Sequence, residues 1–523
     1  MGFLSILEDK KLPHVPATVV LSEKKDQANE RTASLKRGTG GDADIILIPQ
    51  PSEDPNDPLN WSTTKKCVIM FIVAYGSVLY AAVLAPLLSP ALVVIAADFN
   101  VKIADITVIS GYMLLVTGSI GPFLQWFAGG PDHQGGSISA FESLVISMIG
   151  DLFFVHQRGG FMTMIQFIVA AASNFSAIIV GPIATNLGWR YLFHLLIPFA
   201  ALEVVLLFFF VPETAYNRDR RYEIDELSQD NLQDLAAAEK RHNIMAENGD
   251  EEIVKVETTT SSAPELRPKR TFVQELAIFT GTYTSDNLLQ LTLAPFAVCT
   301  NLAVLWMVLV TGGLFAFFVA QSYAMAQIFM APPYLLSAAG VGYLSVGPFL
   351  GGLLASILYG FGLDPLIKWC AKKNRGVYEP EYRLLGMIPS VTTAIGLCLF
   401  GHFAEQGASY YLTSFFHGMD LFGIVCAAVS SSTYVLDAFR DISAEVFIIN
   451  MVVKNFLFYG FSYFVNDWTA SEGPAVVFYT FAGISAAMVL TAPVFFFWGK
   501  RYRSYWCRHN LMRKWGVTTH AKV

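Results

Sequence analysis

From Cys67 onward the chain consists largely of apolar runs of roughly 20 residues or more, almost bare of charge, and at about 1.5 Å of helical rise per residue each can cross a hydrocarbon core of about 30 Å. Backbone amides and carbonyls inside lipid must bond to one another. The runs are far longer than barrel strands and show no period of two, so only helices fit. Eleven spans are expected, at 67–96, 106–128, 138–156, 161–186, 190–211, 296–323, 335–360, 384–403, 409–433, 444–466 and 475–498. Trp61, Trp189, Trp468, Trp498 and Trp506 stand at span ends, where an amphipathic ring suits the interface.

Composition narrows the function classes. An apolar fraction of 54% against 15% charged is too oily for a soluble enzyme. A balance of 35 basic and 42 acidic residues excludes a basic nucleic-acid-binding protein, so no nucleic-acid partner is expected. The cysteines (Cys67, Cys299, Cys370, Cys398, Cys426, Cys507) are scattered singly, so neither a disulfide framework nor a zinc site follows. No paired histidine motif and no phosphate-cradling loop occurs; no metal, cofactor or enzymatic activity is expected.

Five regions result. Residues 1–60 read as a disordered cytosolic tail, since their mixed polar composition cannot offset the chain entropy. Residues 61–212 form an N-terminal bundle of five spans, 213–293 a cytosolic central loop, 294–498 a C-terminal bundle of six spans and 499–523 a cytosolic tail. Basic residues cluster before the first span, in the central loop, in 362–383 and after Trp498, so all four segments should face the cytosol. Six spans satisfy that rule in the second half. Five cannot, because a chain that starts and ends on one side crosses an even number of times. The weak point is the junction at 125–137, which runs through Pro131 with almost no charge. A missing span, an N-terminus outside, or a half-inserted segment near Pro131 would each restore parity.

An internal echo points to paired bundles. Gly111-Tyr112 and Gly121-Pro122-Phe123 in the second span match Gly342-Tyr343 and Gly347-Pro348-Phe349 in the seventh. Other motifs are Asp57-Pro58-Leu59-Asn60-Trp61, Gly188-Trp189-Arg190 and Val211-Pro212-Glu213-Thr214 in the first half. The second half adds the run Asn374 to Arg383, Tyr434, Asp437, Lys454 to Gly460, and Gly499-Lys500-Arg501. In these residues the chain resembles the fungal branch of the major facilitator superfamily, near its twelve-span drug:proton antiporters, over about residues 55–505.

The resemblance implies an all-α polytopic membrane protein, the major facilitator fold of two helical bundles, with about eleven spans here instead of twelve. It implies a secondary transporter moving a small organic solute or drug-like compound by alternating access, proton-coupled and outward, in the plasma membrane and as a monomer within the lipid bilayer. The family's basic loop after the second span, its third span and the Arg early in its fourth are absent, where parity failed. A transport-inactive remnant of the fold and a membrane-embedded enzyme are the competing readings.

An acid in hydrocarbon costs roughly 2.5–3.5 kcal/mol on insertion scales, so each one is a functional candidate. Glu142 lies in a stripe with Ser139, Ser143 and Ser147 that should face the bundle interior, as a proton or solute site or as a packing face. Asp420 begins a face continuing through Gly423, Ala427 and Ser431, and the resemblance puts its span at the central cavity. Glu203, amid Leu and Phe, reads better as a packing residue with a partner. Gln321, Tyr323 and Gln327 could bond and stack on an amphipathic or cationic solute, or belt the interface. Gly181-Pro182 and Gly347-Pro348 are candidate helix bends or gating points.

Overall fold

A computed structural model describes residues 54–79, 88–128, 173–212, 288–374, 377–439 and 442–514, with isolated residues among 4–20, 47–52, 148–154, 161–164 and 269–276, and Thr214. The spans expected at 138–156 and over the first part of 161–186 lie mostly outside the described residues, as does the middle of 67–96.

Entry into the first helix is built from the Asp-Pro-Leu-Asn-Trp run. Asp57 is fully buried; its carboxylate accepts from the Leu59 amide at 3.0 Å and from the Ser52 amide and hydroxyl at 3.1 and 2.8 Å. Pro58 opens the short 3-10 turn Pro58–Asn60, where its missing N–H leaves nothing unbonded. Ser62 then caps α1 (Thr63–Ser77) through the Lys65 amide. Next come α2 (Leu92–Phe99), α3 (Ile103–Ala128), α4 (Ser173–Asn186) and α5 (Arg190–Phe210). Gly188 takes φ +90° between α4 and α5, and this turn lets the Trp189 indole and the Arg190 guanidinium both donate to Asp98 at 3.0 Å.

The second half comprises α6 (Leu288–Ala297), α7 (Leu302–Phe329), α8 (Ala338–Tyr343), α9 (Val346–Leu358) and α10 (Asp364–Lys373). A 3-10 stretch Pro380–Ser390 leads into α11 (Val391–Glu405), followed by α12 (Tyr410–Ala438), α13 (Ser443–Glu472), α14 (Pro474–Val489), α15 (Ala492–Arg508) and α16 (Leu511–Lys514). Among the described residues eight helical segments are long and apolar enough to cross a membrane. Two lie in the first half, Ile103–Ile120 and Arg190–Phe210, and six in the second, the number expected there. Helix continues past the apolar stretches: the seventh expected span extends to Lys373 and the last to Arg508, so the boundary placed at 498 falls inside α15. Hydropathy marks where a helix meets lipid, not where its backbone bonding stops. Exposed Phe193, Ile197, Leu202, Val204 and Phe210 on α5 are lipid-facing.

Among the described residues, two seams of helix packing between the halves bear on the site. Helix α3 packs along α13, where Asn466 donates to Thr107 at 2.7 Å and Tyr112 meets Tyr459 at 5.3 Å. Helix α4 packs on α8 and α9. A Cβ at Gly181 would stand 2.7 Å from the Ala338 carbonyl, and one at Gly342 2.6 Å from that of Ala177, so glycine is required for this approach. The echoed Gly111 and Gly342 thus occupy equivalent roles, one in each seam.

The described residues of the 1–60 tail depart from the disorder their composition suggests. Ile6 is 2% exposed within the core of the C-terminal half, and the Leu7 amide donates to the Phe497 carbonyl at 3.0 Å. Val19–Val20 (β1) pairs antiparallel with Val377–Tyr378 (β2), and Thr18 donates to Glu379 at 2.9 Å. Averaging composition over sixty residues hides short apolar clusters that need only one groove to bind. At the same end of the molecule Arg503, 1% exposed, holds Glu379 and Glu381, Lys500 holds Glu379, and Arg383 pairs with Asp437 at 2.9 Å.

Candidate functional site

Helix α12 has no Lys or Arg in its 29 residues, yet Asp420 and His417 sit one turn apart on it with 0% and 1% exposure. Residues three apart on a helix stand about 5–6 Å apart at Cβ. Among the described residues neither carboxylate oxygen and neither ring nitrogen has a hydrogen-bonding partner. The His417 ring lies between two aromatic walls, Phe318 of α7 at 5.0 Å and Phe400 of α11 at 5.7 Å. Gln321, one turn beyond Phe318 on the same face of α7, is also fully buried with both amide atoms unpartnered. An unsatisfied buried polar group costs about 1–3 kcal/mol, so three such side chains, two on α12 and one on α7, are a costly arrangement for packing alone.

The backbone here is drawn close by small residues. Thr393 of α11 donates to the Asp420 carbonyl at 3.2 Å, and a Cβ at Gly396 would stand 2.6 Å from the Asp420 amide. Gly423 also faces Thr392 and Thr393. The Asp420–Gly423 face read from the sequence is therefore partly a helix-packing face on α11, and the Asp420 side chain emerges beside that contact.

The remaining sequence candidates divide. Tyr323 is 2% exposed in the apolar cluster that includes Phe400 and Phe329, its hydroxyl unpartnered. Gln327 is half-buried and donates to the Asn466 carbonyl at 3.1 Å, which ties it to α13. Gly181 makes the inter-half contact described above, and α4 continues through Pro182. Gly347 and Pro348 lie in the first turn of α9, after the break at Leu344–Ser345; Ser414 of α12 bridges that break, accepting from the Gly347 amide at 3.2 Å and donating to the Leu344 carbonyl at 2.8 Å. Glu203 is fully buried on α5, one turn from where Phe199 accepts a hydrogen bond from Tyr75 of α1, and both its oxygens are unpartnered; the partner anticipated from sequence is not found among the described residues. Glu142, Ser143 and Ser147 lie outside the described residues. His417 is the residue that sequence reading passed over. Its signal was a lone imidazole one turn before an intramembrane acid on a helix without a basic residue.

A sequence model described as Major Facilitator Superfamily matches residues 106–462, more than half of the chain. The chain belongs to the major facilitator superfamily. It is thereby a multi-pass membrane protein of a secondary-transporter family. An uncharacterized MFS-type transporter of Schizosaccharomyces pombe is 23% identical over 558 residues, covering 95% of this chain and 94% of that one. The protein HOL1 of Saccharomyces cerevisiae is 23% identical, covering 90% and 92%. Among solved structures, the human organic anion transporter MFSD10 (TETRAN) is similar at 13% identity, covering 82% of this chain and all of that one with a TM-score of 0.47. Within the superfamily's two-bundle architecture, the α7–α11–α12 cluster lies wholly in the second half.

Proposed function

We propose that this major facilitator protein is a proton-coupled exporter of a small organic solute in the plasma membrane, acting as a monomer near the family's drug:proton antiporters. The observation that carries the reading is Asp420, an acid buried in a membrane span with no Lys or Arg on its own helix and no hydrogen-bonding partner among the described residues. Such a group is retained against an insertion cost when it takes up and releases a proton or contacts a polar solute. Gln321 supplies a second unpartnered polar group, Phe318 and Phe400 offer faces for an amphipathic or cationic solute, and Tyr323 and Gln327 line the same helix. In the first half, Glu142 with Ser143 and Ser147 is proposed from sequence pattern alone. Gly181, Pro182, Gly347 and Pro348 stand at or beside the α4 seam, where one bundle would rock against the other.

The test is flux of radiolabelled small organic solutes in proteoliposomes with and without a pH gradient. Gradient-linked flux abolished by Asp420→Asn, with counterflow of solute retained, supports the reading. Flux indifferent to the gradient in the parent protein removes proton coupling.

The transport-inactive remnant is the second reading. The alignment with the Schizosaccharomyces pombe relative runs over 558 residues, 35 more than the chain's 523, so at least that many positions face a gap in this chain. A missing crossing in the first half is supported by contacts of the N-terminal tail with the 377–379 loop and α15, which put the two chain ends at one end of the molecule. Labelling of the two chain ends on opposite sides of the bilayer would remove the missing-span reading. A correctly inserted protein with no flux for any solute would favour the remnant.

A further inference from the structure

We infer that His417 and Asp420 act as one proton-binding unit, in which the imidazole takes the proton and the carboxylate one turn away holds the resulting charge. This rests on the transport reading of the same site and assigns a role to a residue that the sequence did not single out.

Both side chains are fully buried, and among the described residues none of their four hydrogen-bonding atoms has a partner. Their helix carries no Lys or Arg, and neither do α7, α9 and α11, so no basic counterion reaches Asp420 from any of these packed helices. Titratable groups on the same neighbours are few. Helix α9 has none, and α7 offers Tyr323 alone. On α11, His402 is bonded to Tyr479 at 2.7 Å and Gln406 at 3.0 Å, Glu405 accepts from the Ala475 amide at 2.8 Å, and Cys398 is a thiol. In the 3-10 stretch against α12, Glu381 is held by Arg503, Tyr382 has other interactions, and Arg383 pairs with Asp437. Cys426 and Tyr434 lie further along α12 itself, and Asp437 is already paired. Among the described residues of these packed elements, His417 is thus the group one turn from Asp420 that can become a cation.

The step is balanced. A proton from water forms an N–H bond at the free ring nitrogen of His417, giving imidazolium beside the Asp420 carboxylate, a pair with no net charge. Release to the opposite side breaks that N–H bond and returns a neutral ring beside a carboxylate. The Phe318 and Phe400 rings pack on the imidazole, which leaves the Asp420 carboxylate as the group that must hold its charge.

The test needs no solute, so its outcome is separable from failure of the transport reading, which the flux assay decides. Purified full-length protein in lipid is titrated by infrared difference spectroscopy, following the carboxylic-acid band that disappears in Asp420→Asn and, with ring-labelled histidine, the imidazole band that disappears in His417→Asn. Coupling between two sites is reciprocal. In His417→Asn the Asp420 acid band should persist to higher pH, and in Asp420→Asn the imidazole should stay deprotonated to lower pH, each by about tenfold or more in proton affinity for charges at this spacing in a protein interior. A smaller shift in whichever variant folds overturns the inference.

Discussion

Replacing Arg503 by methionine removes a cation from a charge cluster that is almost completely buried. The guanidinium donates to Glu381 at 3.0 and 2.8 Å and to Glu379 at 2.7 Å, with all three side chains at or below 2% exposure. Lys500 remains on Glu379 at 2.5 Å after the change, so the carboxylate that loses its cation is Glu381. Stranding one member of a buried pair costs about 3–5 kcal/mol. At roughly 2–4 °C of midpoint per kcal/mol for a unit of a couple of hundred residues, thermal unfolding in detergent should fall by about 6–20 °C. Methionine conserves the packing of the aliphatic stem, so the loss reports charge and not volume. Adding Glu381→Gln to the same variant removes the stranded charge and should recover about half of the loss or more. A midpoint for Arg503→Met within about 2 °C of the parent, or a double variant no more stable than the single, would refute the reasoning.

Three further outcomes follow from contacts elsewhere. A methyl at Gly351 would enter the van der Waals shell of the Gly418 carbonyl, so Gly351→Ala should push α9 off α12 and cost about 1–3 kcal/mol by thermal unfolding, whereas Gly460→Ala, with nothing within 4 Å, should be neutral; equal effects would contradict the packing described. Ile6→Ala should cost about 2–5 kcal/mol and speed protease trimming of the N-terminal tail, because Ile6 fills the core of the C-terminal half; an unchanged trimming rate would mean that the tail is not seated there. Hydrogen bonds from Trp189 and then Arg190 hold the Asp98 carboxyl below its ordinary range, so their contribution is present above that range and is lost as pH falls through the lowered value. Asp98→Asn should accordingly flatten the acid end of the melting-temperature profile, and superimposable profiles would dismiss the effect.

The N-terminal tail marks one limit of sequence reading. Its composition is that of a disordered segment, yet Ile6 and the β1 backbone find a receptor in α15 and the 377–378 strand. No local property announces such a match, because the stabilising surface belongs to residues hundreds of positions away. Gln327 is a second case. Its spacing from Tyr323 fits a shared helix face, but the Asn466 carbonyl on α13 already accepts from its amide.

What the sequence determined by itself was everything set by the solvent: long uncharged runs in lipid permit only helices, and the charge distribution calls for an even number of crossings where hydropathy counts eleven. Asp420 was legible for the same reason, since an acid is conspicuous wherever water is absent. Only the tertiary structure decided which of the polar side chains lack partners. It gave Gln327 and Arg503 theirs, left Gln321, His417 and Asp420 without one among the described residues, and set the His417 ring against Phe318 and Phe400 one turn from Asp420. Satisfaction of a hydrogen bond depends on the helix across the interface, and that neighbour is chosen by packing.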